Sequence, residues 1–426
     1  MLFQRFQTSI TQLYDYQAIK HSRVVIFTDH KTSNTLIHRA LSDAVLRFDF
    51  ICYLCIIMAK KPFTPIPPMA ELPPAEEINV QEILNRYLDG EIDLICVLGP
   101  TASGKTRYAV QLARQINTLL EASCCDSASE KRATPLAAGG GARAAGVGGV
   151  LFAAESQQLA GAEIISADSR QVYRGMDIGT GKDLSVYEEI PYHLMDIVDA
   201  GSKYNIFEYQ RDFEKAYKDI RNRGGIPILC GGSGLYIEAA TCGYSLPEVQ
   251  PDPELRAELE KKTDEELIAR LASLKPLHNT TAFDTRKRLI RADEIAIYEA
   301  EHPVQHTSFL PKNTYYIGTL VSRDERNARI DRRLDARLEE GMVEEIRGLI
   351  DGTHPALAPD HRPIMAEDLI YYGLEYKFVT LYITGELTYD QMRTQLATAI
   401  HQFAKRQMTW FRGMERKGIR IHWTNV

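Results

Sequence analysis

The stretch Gly99-Pro-Thr-Ala-Ser-Gly-Lys-Thr106 has the spacing G-x-x-x-x-G-K-[ST], and the chemistry that spacing serves is phosphate binding. Its glycines let backbone N–H groups wrap phosphate oxygens, and a helix N-terminus behind them adds partial positive charge. Lys105 neutralises the phosphates, and the Thr106 hydroxyl is placed to hold Mg²⁺. Gly99, Pro100, Thr101, Ala102, Ser103, Gly104, Lys105 and Thr106 are therefore candidates for a phosphate cradle. The alternative is an accidental Gly-rich turn, which the flanking elements argue against. ATPases and GTPases also need a second carboxylate at a strand end. The apolar run 226–230 ends in glycine, whereas the run 164–166 leads to Asp168. Asp168 has two readings, a metal partner or a general base.

The elements that must position these residues follow from hydrophobic pattern. Leu94 to Leu98 is a short apolar run ending at Gly99, as in a buried parallel strand. Residues 105–118 have helical periodicity, and so do residues 205–223. Runs at 164–166 and 226–230 add two strands. Strands alternating with helices predict an α/β fold, a P-loop NTPase-like parallel sheet flanked by helices. That core spans 91–245. Ala, Gly and Ser dominate from Ala122 to Ala154, so residues 119–162 are expected to be a disordered, low-complexity insertion.

Residues 246–311 read as a helical insertion domain, with Thr263 and Glu266 forming a capping box for a helix from Asp264. Tyr315 to Leu320 reads as a return strand, and the rest, to 426, as helical. Within 389–412, Met392, Leu396, Ile400 and Phe403 share one face at 3.6-residue spacing. At the other end, residues 58–90 open a Pro-rich segment. Residues 1–57 are expected to be a poorly ordered leader or a gene-model extension, with Met58 the natural start.

Composition bounds the function. The formal charge of -7 means that a nucleic-acid site would depend on local basic stripes. Arg323, Arg326, Arg329, Arg332 and Arg333 form one stripe, but Asp324, Glu325 and Asp331 interleave and predict self-pairing. Seven scattered cysteines fit a reduced, cytoplasmic protein. The run from Phe50 to Met58 is about half the ~20 residues a membrane-spanning helix needs, so no membrane association is expected.

Downstream of Asp168 the block from Ala167 to Lys182, Ala-Asp-Ser-Arg-Gln-Val-Tyr-Arg-Gly-Met-Asp-Ile-Gly-Thr-Gly-Lys, resembles the signature of the tRNA dimethylallyltransferases. Further blocks match in the family's order: Tyr192 to Asp199, Gly231 to Tyr236, Arg288 to Ala292, Gly341 to Glu345 and Ala404 to Arg412. The resemblance spans about 91–423. It implies a Mg²⁺-assisted enzyme that moves a dimethylallyl group from dimethylallyl diphosphate to the exocyclic amine of the adenosine 3′ of the anticodon in tRNA. An adenine amine is a poor nucleophile, because its lone pair is delocalised, and a positioned carboxylate can accept its proton. By the resemblance that base is Asp168; a structural or Mg²⁺-linked aspartate is the alternative.

The resemblance also implies that Thr101 helps bind diphosphate and that Arg288 or Arg291 stabilises the leaving group beside Lys105. Taken alone, Arg286, Lys287, Arg288 and Arg291 are a solvated basic face. Asp168, Ser169, Arg170 and Gln171 would grip the target adenosine; Gln171 would otherwise tie down its loop. Ser233 stands where the family usually has Thr and keeps a hydroxyl for RNA. Arg288 and Arg291, and also Lys405 and Arg406 beside Trp410, Phe411 and Arg412, are further RNA candidates, although Trp410 and Phe411 read equally as core. Three departures stand out. Tyr372 to Tyr376 lacks the family's Gly-Tyr-basic turn, Asp293 occupies a position expected to be apolar, and the zinc finger of eukaryotic relatives is absent. A monomer is expected. The competing readings are an isopentenyltransferase acting on free adenine nucleotide, a small-molecule kinase, and a non-catalytic, nucleotide-switched RNA-binding module.

Overall fold

The computed structural model describes residues 72–130, 160–243, 249–275, 285–302, 311–357 and 363–426. The expectations for residues 1–71 and for most of the low-complexity stretch, residues 131–159, lie outside these. Chain order runs α1 (Val80–Leu88), β1 (Leu94–Leu98), α2 (Lys105–Glu130), β2 (Ala162–Ala167), β3 (Tyr173–Arg174), β4 (Tyr192–His193), β5 (Val198–Asp199), α3 (Ile206–Asn222), β6 (Ile226–Gly231) and α4 (Gly234–Thr241). A helical trio follows, α5 (Pro253–Leu259), α6 (Asp264–Leu274) and α7 (Arg286–Glu301). Then come β7 (Thr314–Leu320), α8 (Arg323–Glu340), α9 (Met342–Asp351), α10 (Ala366–Tyr372), α11 (Leu374–Ile383), α12 (Tyr389–Arg416) and β8 (Ile421–Asn425).

Six strands form a parallel sheet in the order β4-β2-β6-β1-β7-β8. Residues of β1 alternate between two cores, as the two-residue period of a strand requires. Ile95 and Val97 pack with α1 and α2, while Leu94, Cys96 and Leu98 pack with α3, α4 and α12. Ala167 and Leu98 both sit opposite Gly231 in register. The residues that follow these strands therefore emerge side by side at their carboxyl ends, where open α/β sheets bind ligands. A third core joins α8 to α12 with Val172, Tyr173 and Met176, and a fourth, smaller one holds α5, α6 and α7 together. Among the described residues no helix is long and apolar enough to cross a membrane.

The capping box expected at Thr263 and Glu266 is present. Five expectations are corrected. Helix α2 runs on to Glu130 and β2 starts at Ala162, so residues 119–130 are helical and the insertion is narrower than 119–162. Leu120 adds a buried apolar turn, and no Gly or Pro, the residues that end helices, occurs before Pro135. Residues 80–88 form a helix within the supposed Pro-rich segment, capped by Asn79 and burying Ile83 and Leu84. The chain ends on a strand, β8, where helix was expected; Trp423 lies against Gly318, where any Cβ would collide with its ring. The buried face of α12 continues from Ile400 through Ala404, Gln407 and Phe411, leaving Phe403 half-buried. Asp293 is fully buried against Arg270, so that position is not apolar packing but a buried ion pair at 3.4 Å; burial raises its carboxyl pKa against the pull of Arg270.

Candidate active site

The loop between β1 and α2 needs unusual backbone. Ala102 and Gly104 have φ of 61° and 83°, the left-handed region that Gly enters freely. Behind the loop the Ser103 hydroxyl, fully buried, shares a hydrogen bond of 2.7 Å with Thr319. A Cβ at Gly99 would collide with both hydroxyls. From α12, Gln407 bridges two strand ends: Thr101 N–H donates to its Oε1 at 2.8 Å, and its Nε2 donates to Gly232 O at 2.9 Å.

These parts surround a cavity of about 230 Å³. Thr101, Ala102, Gly104, Lys105 and Thr106 line one wall, and Asp168, just beyond β2, stands beside them. Burial lowers the Lys105 ammonium pKa, and the strongest opposing influence is Asp168. Asp168 Oδ1 accepts the Arg170 backbone N–H at 3.0 Å. Burial pushes the Cys230 thiol, also on the cavity, up to about 12, so it is neutral and not a nucleophile.

The facing wall is cationic. Arg333 and Arg337, one turn apart on α8, line the cavity with Arg170. Burial, then the neighbouring Arg333, pulls Arg337 down to about 10, which still leaves it charged at neutral pH. Arg333 Nε and Arg337 Nη2 are buried with no hydrogen-bond partner among the described residues. Unpaired buried N–H groups on a cation are costly unless an anion completes them. The floor between the walls is the loop carrying Thr180, Gly181 and Asp183. The Glu345 carboxylate pins it by accepting N–H groups of Asp177, Ile178 and Gly179 at 3.0, 2.6 and 3.1 Å. Buried Lys182 ties it to Tyr173 O, Asp177 and Asp196.

Cradle, carboxylate and unpaired guanidiniums have the chemistry to hold a compact phosphate anion beside a group able to accept a proton. Residues 171–414 match the family model described as IPP transferase, more than half of the chain. The chain belongs to the IPP transferase family. It is 49% identical over 341 residues to tRNA dimethylallyltransferase 2 of Bacteroides fragilis, covering 79% of this chain and 94% of that one. It is 51% identical over 337 residues to tRNA dimethylallyltransferase 2 of Porphyromonas gingivalis, covering 78% and 94%. A solved eukaryotic dimethylallyltransferase, described as acting on tRNA, aligns with TM-score 0.53 and 20% identity over 74% of this chain and 69% of that one. That likeness establishes the shared fold.

In this IPP transferase the structure gathers Thr101, Lys105, Thr106, Asp168, Arg170 and Gln171 around one cavity, with Gly99, Pro100 and Ser103 outside its lining. It does not bring Arg288 or Arg291 there, and that expectation is corrected. Both lie on α7, where Arg291 pairs with Glu294 and donates to Val249 O at 2.7 Å. Glu294 is almost fully buried and draws Arg256 as well, at 2.8 Å, as a buried carboxylate needs. The Gln171 amide serves its own loop, accepting from the Ser166 hydroxyl and donating to Gly181 O, both at 3.3 Å. The Ser233 hydroxyl accepts the Ser169 N–H at 3.1 Å. Lys405 and Arg406 are exposed on α12, Trp410 is 40% exposed against Gly234, and Phe411 is core.

Sequence reasoning missed Arg337, Glu375 and Gln407 and misread Arg333. Arg329 and Arg332 do pair with Glu325, but Arg333 does not. The available signal was Arg337 at the buried spacing of Ile330 and Leu334, a cation on an apolar stripe.

Thr106 and Asp183 both line the cavity. Among the described residues no group of three or more His, Cys, Asp or Glu forms a metal cage. This sparse donor set fits Mg²⁺, which keeps several waters and takes phosphate oxygens as ligands.

Proposed function

We propose that the protein transfers the dimethylallyl group of dimethylallyl diphosphate to N6 of the adenosine 3′ of the anticodon in tRNA, releasing diphosphate. Family membership makes it a tRNA-prenylating enzyme. The observation that carries the finer reading is the single cavity, where the P-loop and Asp168 face Arg333 and Arg337 with unpaired N–H groups. In this reading the diphosphate lies between the loop and those guanidiniums. Ile330, Leu334 and Ile400 give the five-carbon chain an apolar wall.

As the N6–C1 bond forms, the C1–O bond breaks and its electron pair leaves with the diphosphate. The N6 proton passes to Asp168. Lys105, Arg333 and Arg337 stabilise charge where it develops, in a site that needs little reorganisation. Thr106 would hold Mg²⁺, which when bound supplies further neutralisation of the diphosphate.

The test is labelled dimethylallyl diphosphate with Mg²⁺, offered to unmodified tRNA and to AMP in parallel. Label on tRNA alone, at the anticodon-adjacent adenosine, is expected. Label on AMP alone would move the protein to the free-nucleotide class, and label on neither, from folded protein, would contradict the transfer itself.

A further inference from the structure

The cavity contains one ion pair that neither diphosphate binding nor proton transfer uses. Arg170 follows Asp168 by two residues, and its backbone N–H holds Asp168 Oδ1. Among the described residues no hydrogen bond reaches Asp168 Oδ2. The Arg170 guanidinium lines the same cavity, yet it is paired with Glu375 from α11. It also lies over the Phe403 ring, 5.8 Å from its centroid. Both partners are sequestered, with side chains 14% and 6% exposed.

Glu375 reaches this place by an irregular route. Gly373, at φ 74°, and Leu374, at φ 44°, turn the chain between α10 and α11. Glu375 lies in the segment that departs from the Gly-Tyr-basic turn of the family this chain resembles. The strongest charges acting on Arg170 are Glu375 and then Asp168. The remaining charged side chains around the pair include Lys105, Arg333 and Arg337, which are cations, and Asp183 on the floor. Tyr376 beside Arg170 is held neutral, its pKa raised by burial and by Glu345. Without the Glu375 charge, the carboxylate with the next strongest hold on the guanidinium is Asp168. A guanidinium turned onto Asp168 would occupy the lone pairs that accept the amine proton.

We propose that Glu375 is a positioning residue for the transfer reaction: by holding the Arg170 guanidinium, it keeps Asp168 free to take the proton. The inference rests on Asp168 being the base. A neutral pair at the two positions then restores what a lone neutral residue at 375 destroys, because nothing is left to cap Asp168. A purely structural ion pair would show its loss in folding, KM or Kd, and not in the saturated rate of folded protein.

The experiment is single-turnover kinetics on the full chain, with Kd for tRNA and KM for dimethylallyl diphosphate measured alongside. Glu375→Gln should slow the saturated rate by about tenfold or more, within the roughly 10²–10⁴-fold that a general base supplies, with KM and Kd moved less than about threefold. Glu375→Asp keeps the charge and should stay closer to the parent. The double variant Arg170→Gln/Glu375→Gln should regain most of the lost rate. No recovery in a folded double variant overturns the inference, as does a loss confined to KM or Kd. If Glu375→Gln does not fold, the double variant still decides, since removing both charges of a buried pair is better tolerated than removing one. A rate near the parent's supports the proposal, and one as low as that of Asp168→Asn defeats it. Asp168→Asn is run in parallel. Retained turnover there defeats the assignment of the base, and this inference with it; lost turnover without recovery in the double variant defeats this inference alone.

Discussion

The P-loop wall and the arginine wall of the cavity hold their charge in different ways. On the P-loop wall one short segment carries everything: Lys105, Thr106 and the loop amides come from Gly99 to Thr106, braced by Ser103 and Thr319. Lys105 is half-buried and feels the charge of Asp168, so part of its charge is already answered. On the arginine wall, Arg333 and Arg337 face each other one turn apart, and each leaves a buried N–H group unmatched. The first wall is organised before ligand arrives. The second carries unpaired N–H groups that a bound anion would complete, so binding strength and folding stability oppose each other there.

Removing the Asp168 carboxylate should have the largest effect. Asp168→Asn should lower kcat by about 10²–10⁴-fold while sparing tRNA affinity; equal losses in turnover and in tRNA binding would contradict its role as base. Next is Lys105→Met on the organised wall. It should cost about 10²–10³-fold in kcat, the range for one pre-placed donor at a developing oxyanion, and calorimetry should show weaker diphosphate binding as well.

Arg337→Met gives the sharper contrast. Diphosphate affinity should fall about tenfold, yet the ligand-free protein should become more stable by about 1–3 kcal/mol, because a buried cation lacking partners is removed. Thermal unfolding with and without inorganic diphosphate reads both effects. A less stable free variant would show that the arginine wall is not imbalanced.

The smallest effect is at the far edge of the sheet, where charge is fully answered. The Glu163 carboxyl is buried, and burial alone would raise its pKa. Hydrogen bonds from Arg223 and His193 more than offset this and hold it below the usual range. A depressed folded-state value means the stabilisation is present above the unfolded carboxyl's pKa and is lost as pH falls through the folded one. Acid titration of unfolding free energy should therefore show a loss as pH falls below the ordinary carboxylate range, a loss that is missing in Glu163→Gln. The same loss in that variant would assign it to other carboxylates.

The same division governs what could be read in advance. The phosphate cradle and its strand were legible because Gly99 to Thr106 is contiguous and its backbone geometry is encoded by its own glycines. The capping box at Thr263 and Glu266 was legible for the same reason, since both partners lie within one turn. The arginines expected at the leaving group lie on α7, outside the cavity lining. Arg288 and Arg291 sit in a matching motif, but the buried Glu294 claims Arg291 within its own helical trio. Arg333 was visible only as part of a basic stripe, because its neighbours Arg329 and Arg332 find Glu325 within the same helix and Arg333 does not.

What the sequence by itself determined is therefore local: a P-loop, an aspartate at a strand end, the alternation of strands and helices, and the family blocks. Tertiary structure alone decided which cations face the cavity, that Gln407 braces the loop from a residue 306 positions away, and that Glu375 holds Arg170 across 205 positions. Such pairings depend on where the sheet and the C-terminal helices place their side chains. A charged residue carries no local mark of the partner, or the lack of one, that packing will give it.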